Sequence, residues 1–222
     1  MIVLGEGPLN KHRLVKRIYE YFLDNSTKES YEYFSKHKDL IISDLDEPGH
    51  ILKIALDKVK IDGLHCEFGV FKGDTLKQLS SMKNVMWHAF DSFKGLQEDW
   101  KGGYFEKGHF DLGGEAPKDL IKPNITIYNG WFKETIPYFA RTEGKPLAFA
   151  NIDCDTYEST KEVLDNLEVK IEQGTILIFD DYHSYYGWRQ GQYKAWQEHC
   201  SKYNVKYKYV AIGAMSVVVE VI

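Results

Sequence analysis

The sequence predicts an α/β protein: a mostly parallel sheet with helices on both faces, an antiparallel hairpin at the end, and a helical extension in front. Three observations predict it. From Gly63 onward, short apolar runs alternate with helical patterns, which is the signature of strand–helix–strand units. Residues 64–76, LHCEFGVFKGDTL, read as a buried strand, a tight glycine turn and the start of a helix. Near the C-terminus, 205–211 (VKYKYVA) and 214–222 (AMSVVVEVI) are β-rich runs joined at Ile212-Gly213, a link that allows only a hairpin and places an antiparallel strand at the end of the sheet.

In chain order, residues 9–24 carry helical periodicity, with Leu14, Ile18 and Phe22 on one face and Val15 and Tyr19 beside them. Tyr31 to Leu40 suggests a second, shorter helix. Pro48 starts a third, with Ile51, Ile54, Ala55 and Val59 as its apolar set. These pieces form an extension over 1–62 that covers the sheet, caps a site or contacts another subunit. The domain proper is expected over 63–222. Its strand candidates are 64–68, 85–90, 125–128, 147–152 and 175–179, and its clearest helix is 157–167, with Val163, Leu164 and Leu167. The stretch 93–121 breaks the alternation. It is glycine-rich and carries Trp100, Tyr104, Phe105, His109 and Phe110, a composition that suits a substrate-covering loop better than a disordered one.

Bulk composition narrows the function. The chain has 222 residues and a net charge of −5 without a basic run, so a nucleic-acid partner is not suggested. No apolar stretch is long enough to span a membrane, and the N-terminal apolar segment is too short for a signal peptide. Cys66, Cys154 and Cys200 form neither a disulfide framework nor a zinc spacing, which fits a reducing cytoplasm. A small-molecule enzyme is the expectation, with a homo-oligomer possible.

The chemistry-bearing residues sit at strand ends. A glycine turn between strand and helix offers backbone N–H groups to a cofactor. Here the spacing is E-x-G-x-x-x-G, not G-x-G-x-x-G, and Glu67 would repel a pyrophosphate while accepting hydrogen bonds from an ammonium group. A cationic, amino-acid-tailed cofactor is therefore favoured over a dinucleotide. Asp91, closing the next strand, is placed to accept ribose hydroxyls or to cap its own loop. Asp153, Asp180 and Asp181 follow two later strands and should converge on one sheet edge. Such carboxylates repel unless a cation or protons intervene, and oxygen ligands suit Mg²⁺, Mn²⁺ or Ca²⁺. Asp155 reads as a cap of the helix at 157. His183 is a base, a partner of the site or an exposed loop residue. Trp131 stacks on a flat ring or belongs to the core.

Taken together, EFGVFKGDTL, FDSFKGL, NGWFKETIP, NIDCDTYESTKEVLDNL and GTILIFDDYHSYYG resemble the macrocin O-methyltransferase family, the TylF and MycF group, over about residues 63–200. Asp74 stands where family members often have a small residue. The resemblance implies a Rossmann-like class I methyltransferase with a seven-stranded sheet, using S-adenosylmethionine and Mg²⁺ to methylate a sugar hydroxyl. It places Glu67 and Gly69 near the methionine moiety, Asp91 at the ribose, and Asp153, Asp180 and Asp181 on the metal. The whole expected cofactor set is Glu67, Gly69, Val70, Gly73, Thr75, Asp91, Ser92 and Trp131, with Asp153 or His183 as the base. A catechol-like acceptor, a nucleotide-dependent oxidoreductase and a non-catalytic cofactor-binding protein are the alternatives.

Overall fold

The computed structural model describes residues 11–103 and 105–222, with side chains in the first helix from residue 20 onward. Leu14, Val15, Ile18 and Tyr19, expected on the apolar face of the first helix, lie outside the described side chains, and Tyr104 lies outside the described residues. The described residues open on one long helix, α1 (Lys11–Phe34), rather than two. The polar stretch in its middle does not break it, because Asn25, Ser26 and Ser30 turn their side chains back onto carbonyls four residues earlier instead of capping a new start. The segment predicted as a second helix, Tyr31 to Leu40, is the last turn of α1 and a turn that leads into the edge strand β1 (Ile41–Ile42). Helix α2 (His50–Lys58) follows near the position that Pro48 suggested.

The core then alternates: β2 (Leu64–Phe68), α3 (Asp74–Met82), β3 (Trp87–Asp91), β4 (Ile125–Asn129), α4 (Phe132–Thr142), β5 (Leu147–Ile152), α5 (Tyr157–Leu167), β6 (Ile176–Phe179), α6 (Gln192–Tyr203), β7 (Tyr207–Ile212) and β8 (Val217–Val221). The sheet order is β1-β7-β8-β6-β5-β2-β3-β4. Among the described strands, only β8 runs antiparallel to both of its neighbours. Two expectations are corrected here. The antiparallel strand is not at the end of the sheet but between β6 and β7. The sheet also has eight strands among the described residues, because β1 pairs in parallel with β7. Burial explains the placement: Val217, Val218 and Val219 are all buried, so β8 has no polar face to turn to water, whereas β7 has exposed and half-buried positions at its ends.

Alternate residues feed two cores. Leu64, Cys66, Phe68, Phe90, Ala150, Ile152, Leu177 and Phe179 face α4, α5 and α6. Trp87, Ala89, Phe149, Ile176 and Ile178 face α2 and α3, where Leu52, Ala55, Leu76 and Leu79 meet them. The three cysteines are free, and no helix among the described residues is long and apolar enough to cross a membrane. For the site, the decisive feature is the switch in direction. From β2 the chain moves outward to β3 and β4, then returns to β5 on the other side of β2. The carboxyl ends of β3, β2, β5 and β6 thus line one edge in that order, with the crevice between β2 and β5.

Candidate active site

The turn after β2 is built by close backbone approach. Gly69 has φ +87°, and a Cβ there would stand 1.7 Å from the carbonyl oxygen of Asp153. Glycine is therefore required twice over, by the dihedral and by the neighbouring strand end. The Gly69 N–H donates to the Phe90 carbonyl (3.0 Å) and the Asp153 N–H to the Phe68 carbonyl (2.8 Å), so three strand ends are tied at one point. Gly73, with φ +74°, opens α3 against Leu120, whose side chain would lie 2.3 Å from an added Cβ.

Asp91 is committed to the same turn. One of its oxygens, Oδ2, accepts the backbone N–H groups of Val70 and Phe71, both at 2.8 Å; the other, Oδ1, accepts that of Phe93 at 2.7 Å. A carboxylate has about four acceptor sites. Three are used within the protein, leaving capacity for about one ribose hydroxyl rather than two. Phe71, at φ +47°, holds a left-handed conformation that these bonds maintain.

A cavity opens over this turn, between the ends of β5 and β4. Of the expected cofactor residues, Gly69, Val70, Asp91, Ser92 and Trp131 line it, together with Asp153. Glu67, Gly73 and Thr75 do not: Gly73 and Thr75 support the turn from α3, and Glu67 lies beneath it. Glu67 is fully buried. Its Oε1 accepts from Asn151 Nδ2 at 3.1 Å, while Oε2 and the Asn151 Oδ1 have no partner. Burial first, and then Asp180 and Asp91, push the Glu67 carboxyl up to about 8, with the Asn151 bond opposing.

A second cavity adjoins the first and is larger, about 460 Å³ against about 170 Å³. Its floor is Asp153, Asp155, Asp180 and Asp181. Trp100, Phe105 and Phe110 from the 93–121 loop form one wall, and Ala214, Met215 and Ser216 from the β7–β8 turn form another. Carboxylate oxygens of Asp153, Asp180 and Asp181 all lie within 4.8 Å of one another. Burial raises the Asp153 carboxyl well above its ordinary range, and repulsion from Asp180 and Asp181 adds to it. Burial followed by Asp180 and Asp155 does the same to Asp181. Such a cluster takes up protons or a cation.

Two residues differ from expectation. Asp155 is not the cap of α5: Thr156 is, its hydroxyl accepting the Ser159 N–H at 3.2 Å. Asp155 instead takes a left-handed conformation (φ +58°) that leaves it lining both cavities. Burial, then Asp180 and Asp91, lift its carboxyl to about 7. His183 is 3% exposed and lines neither cavity. Its Nδ1 pairs with Ser184 Oγ (2.7 Å) and its Nε2 with the Ser216 carbonyl (3.2 Å), while Phe34 of α1 packs on the ring. With both nitrogens engaged, and burial pushing it down to about 4, it serves as a neutral tie between α1 and the β7–β8 turn.

The 93–121 excursion is closed on itself. Lys94 bridges to Asp111, the Leu96 N–H donates to the His109 carbonyl, and Gly108 donates back to Leu96. Trp100 packs with Tyr185 and Trp188, fixing the loop over the acids. Sequence reading missed the β7–β8 turn as a wall and Gln192 behind the acids. Neither has a motif: the turn residues are small or apolar, and Gln192 looks like any residue opening a helix.

An eight-stranded, mostly parallel sheet in this order, with a glycine turn at its switch point and acids on the flanking strand ends, is a Rossmann-like fold. Solved methyltransferase structures share it. The O-methyltransferase NovP has a TM-score of 0.59 and 22% identity over 77% of this chain and 78% of its own. The calicheamicin methyltransferase CalS11 has a TM-score of 0.64 and 18% identity over 98% of this chain and 94% of its own. Residues 116–219 match the family model described as Macrocin-O-methyltransferase (TylF). A Streptomyces olivaceus protein, 8-demethyl-8-(2,3-dimethoxy-alpha-L-rhamnosyl)-tetracenomycin-C 4'-O-methyltransferase, is 38% identical over 66 residues, 28% of this chain. The chain aligns with 23% of that relative's length.

Proposed function

We propose that the protein is an S-adenosylmethionine-dependent, Mg²⁺-dependent O-methyltransferase acting on a hydroxyl of a sugar or sugar-containing natural product. One observation carries this reading: a cavity over the glycine turn and a cavity floored by acids meet at Asp153 and Asp155, which line both. Donor and acceptor would thus be held on opposite sides of one pair of carboxylates. The family match over 116–219 and the rhamnosyl acceptor in the S. olivaceus relative's name support a sugar.

The residues fit both absent groups. The first cavity presents the Gly69–Phe71 backbone, Asp91 with about one free acceptor site, and Trp131 as a flat face, and the unpartnered Glu67 Oε2 lies beneath the turn. That set suits a nucleoside with a charged amino-acid tail. Asp153, Asp180 and Asp181 would hold Mg²⁺, since they form an all-oxygen set with oxygens in mutual reach. Mg²⁺, when bound, lowers the pKa of a coordinated hydroxyl and offsets its developing negative charge. Asp155 stands outside that triad and on both cavities, so we assign it the acceptor proton in place of Asp153 or His183. Trp100, Phe105 and Phe110, which line the acid cavity, would wall an acceptor and exclude water from the transfer path. Alignment for in-line displacement is the larger contribution, about 7–11 kcal/mol in favourable cases.

The test is an acceptor screen with labelled S-adenosylmethionine, covering glycosides, sugar nucleotides and small phenols, with Mg²⁺ and with EDTA. Methylated glycoside that appears only with Mg²⁺ or Mn²⁺, and a loss of about 10²–10⁴-fold in kcat for Asp155→Asn, are expected. Full-rate turnover of a confirmed acceptor by EDTA-treated enzyme would overturn the metal assignment.

A further inference from the structure

Behind the acid cluster, and outside both cavities, one polar side chain is fully buried in a place where the sheet's own hydrogen bonds run out. Gln192 opens α6 and is 0% exposed. Its Oε1 accepts the Asp181 N–H at 2.9 Å, and its Nε2 donates to the Ile152 carbonyl at 3.1 Å. Ile152 ends β5 and precedes Asp153; Asp181 follows the end of β6. The last ladder bond between these strands is Asp180 N–H to the same Ile152 carbonyl, at 3.1 Å. Beyond it the two chains diverge, and the Asp181 N–H would otherwise be a buried donor with no partner. The Gln192 amide therefore replaces the missing rung and spans the gap between the two strand ends.

The brace matters because of what those ends carry. Asp153 sits on one side of the gap and Asp180 and Asp181 on the other, and like charges at such range push the strand ends apart. The spacing of the three carboxylates is set by the backbone beneath them, and beyond the Asp180–Ile152 bond that backbone is bridged by the Gln192 side chain. Gln192 is itself held in place: it follows Gly191, where an added Cβ would lie 2.0 Å from the Tyr185 hydroxyl oxygen, so α6 starts as a wedge under the site with little room to shift. We propose that Gln192 is a positioning residue for cation binding, holding Asp153 in register with Asp180 and Asp181 so that the triad is preformed. This rests on the reading of the triad as a metal site. Glutamine suits the place because an N–H donor must meet an acceptor at one end and an acceptor must meet a donor at the other; glutamate or methionine of similar length satisfies at most one.

The experiment measures Mn²⁺ binding to the full chain without cofactor, by titration calorimetry and by the Mn²⁺ paramagnetic resonance signal, at a temperature well below unfolding. Gln192→Met is expected to weaken Mn²⁺ binding by about 10–100-fold, as loss of outer support for metal ligands does, while S-adenosylmethionine affinity changes less than about twofold. Leu79→Ala, on the opposite sheet face, serves as a control that lowers the melting temperature without altering Mn²⁺ affinity. If Gln192→Met does not fold, Gln192→Asn, which keeps the amide but draws it back by one methylene, takes its place and should show the same loss. Unchanged Mn²⁺ affinity in a folded Gln192 variant, or failure of both variants to fold, would overturn the positioning role. Absence of Mn²⁺ binding by the unaltered protein would bring down the metal reading, and the brace with it.

Discussion

Replacing Gly69 with alanine tests the junction where the donor turn meets the acid-bearing strand. Two costs can be separated. The first is the dihedral: at φ +87° an L-residue pays about 1–2 kcal/mol for the left-handed region. The second is steric: the new methyl would stand 1.7 Å from the Asp153 carbonyl oxygen and 2.6 Å from its carbonyl carbon. These are backbone atoms tied to Phe68 by the Asp153 N–H, so no side chain can move aside. Overpacking of this kind costs about 1–3 kcal/mol, which brings the total to about 2–5 kcal/mol. For a chain of this length that lowers Tm by about 5–15 °C. Gly113→Ala is the internal control. Its φ is +73°, but nothing lies within 4 Å of its added Cβ, so it carries the dihedral cost alone. Urea unfolding of both variants gives the difference, and calorimetry with S-adenosylmethionine should show weaker binding for Gly69→Ala only, because relief of the clash displaces the turn. If the two variants match in stability within about 0.5 kcal/mol, the usual scatter for independent surface changes, the close approach does not constrain this turn.

Three further outcomes follow from the same geometry. Asp91→Ala should weaken S-adenosylmethionine binding and also destabilise the protein by about 1–3 kcal/mol, since the Val70, Phe71 and Phe93 N–H groups lose their acceptor; calorimetry with unchanged cofactor affinity would remove Asp91 from the cofactor site. Glu67 ionises near pH 8 in the folded chain against an ordinary 4.5, so it is protonated in the native state while ionised in the unfolded one. Its contribution therefore makes stability fall as pH rises from about 5 to 8, by up to about 1.4 kcal/mol per pH unit; urea unfolding of the metal-free protein should give a shallower slope for Glu67→Gln, and an identical slope would refute the assignment. Hydrogen exchange in 93–121 should slow when cofactor and acceptor bind, because Trp100, Phe105 and Phe110 wall the acid cavity; identical protection in both states would contradict closure over substrate.

What the sequence determined by itself was the set of strand ends and the chemistry placed on them. Apolar runs that close on glycine or aspartate are local signals, and the strands ending at Phe68, Asp91, Ile152 and Phe179 follow from them with only boundary shifts. The continuous apolar runs of β2, β5 and β6, buried on both faces, and helical spacing in α5 carry the α/β class for the same reason. Tertiary structure decided everything that depends on which ends meet. Asp155 looks like a helix cap because aspartate before a helix usually is one, but Thr156 takes that bond and frees Asp155 for the cavities. His183 looks like a base because it follows two acids, yet the chain turns it away onto the Ser216 carbonyl. Strand β8 lies inside the sheet because its valines are buried on both faces, and pairing order is not written in a hairpin's loop. Gln192 has no local signal at all. Its role exists only because two strands separated in sequence end side by side, leaving a donor and an acceptor that one amide is long enough to join.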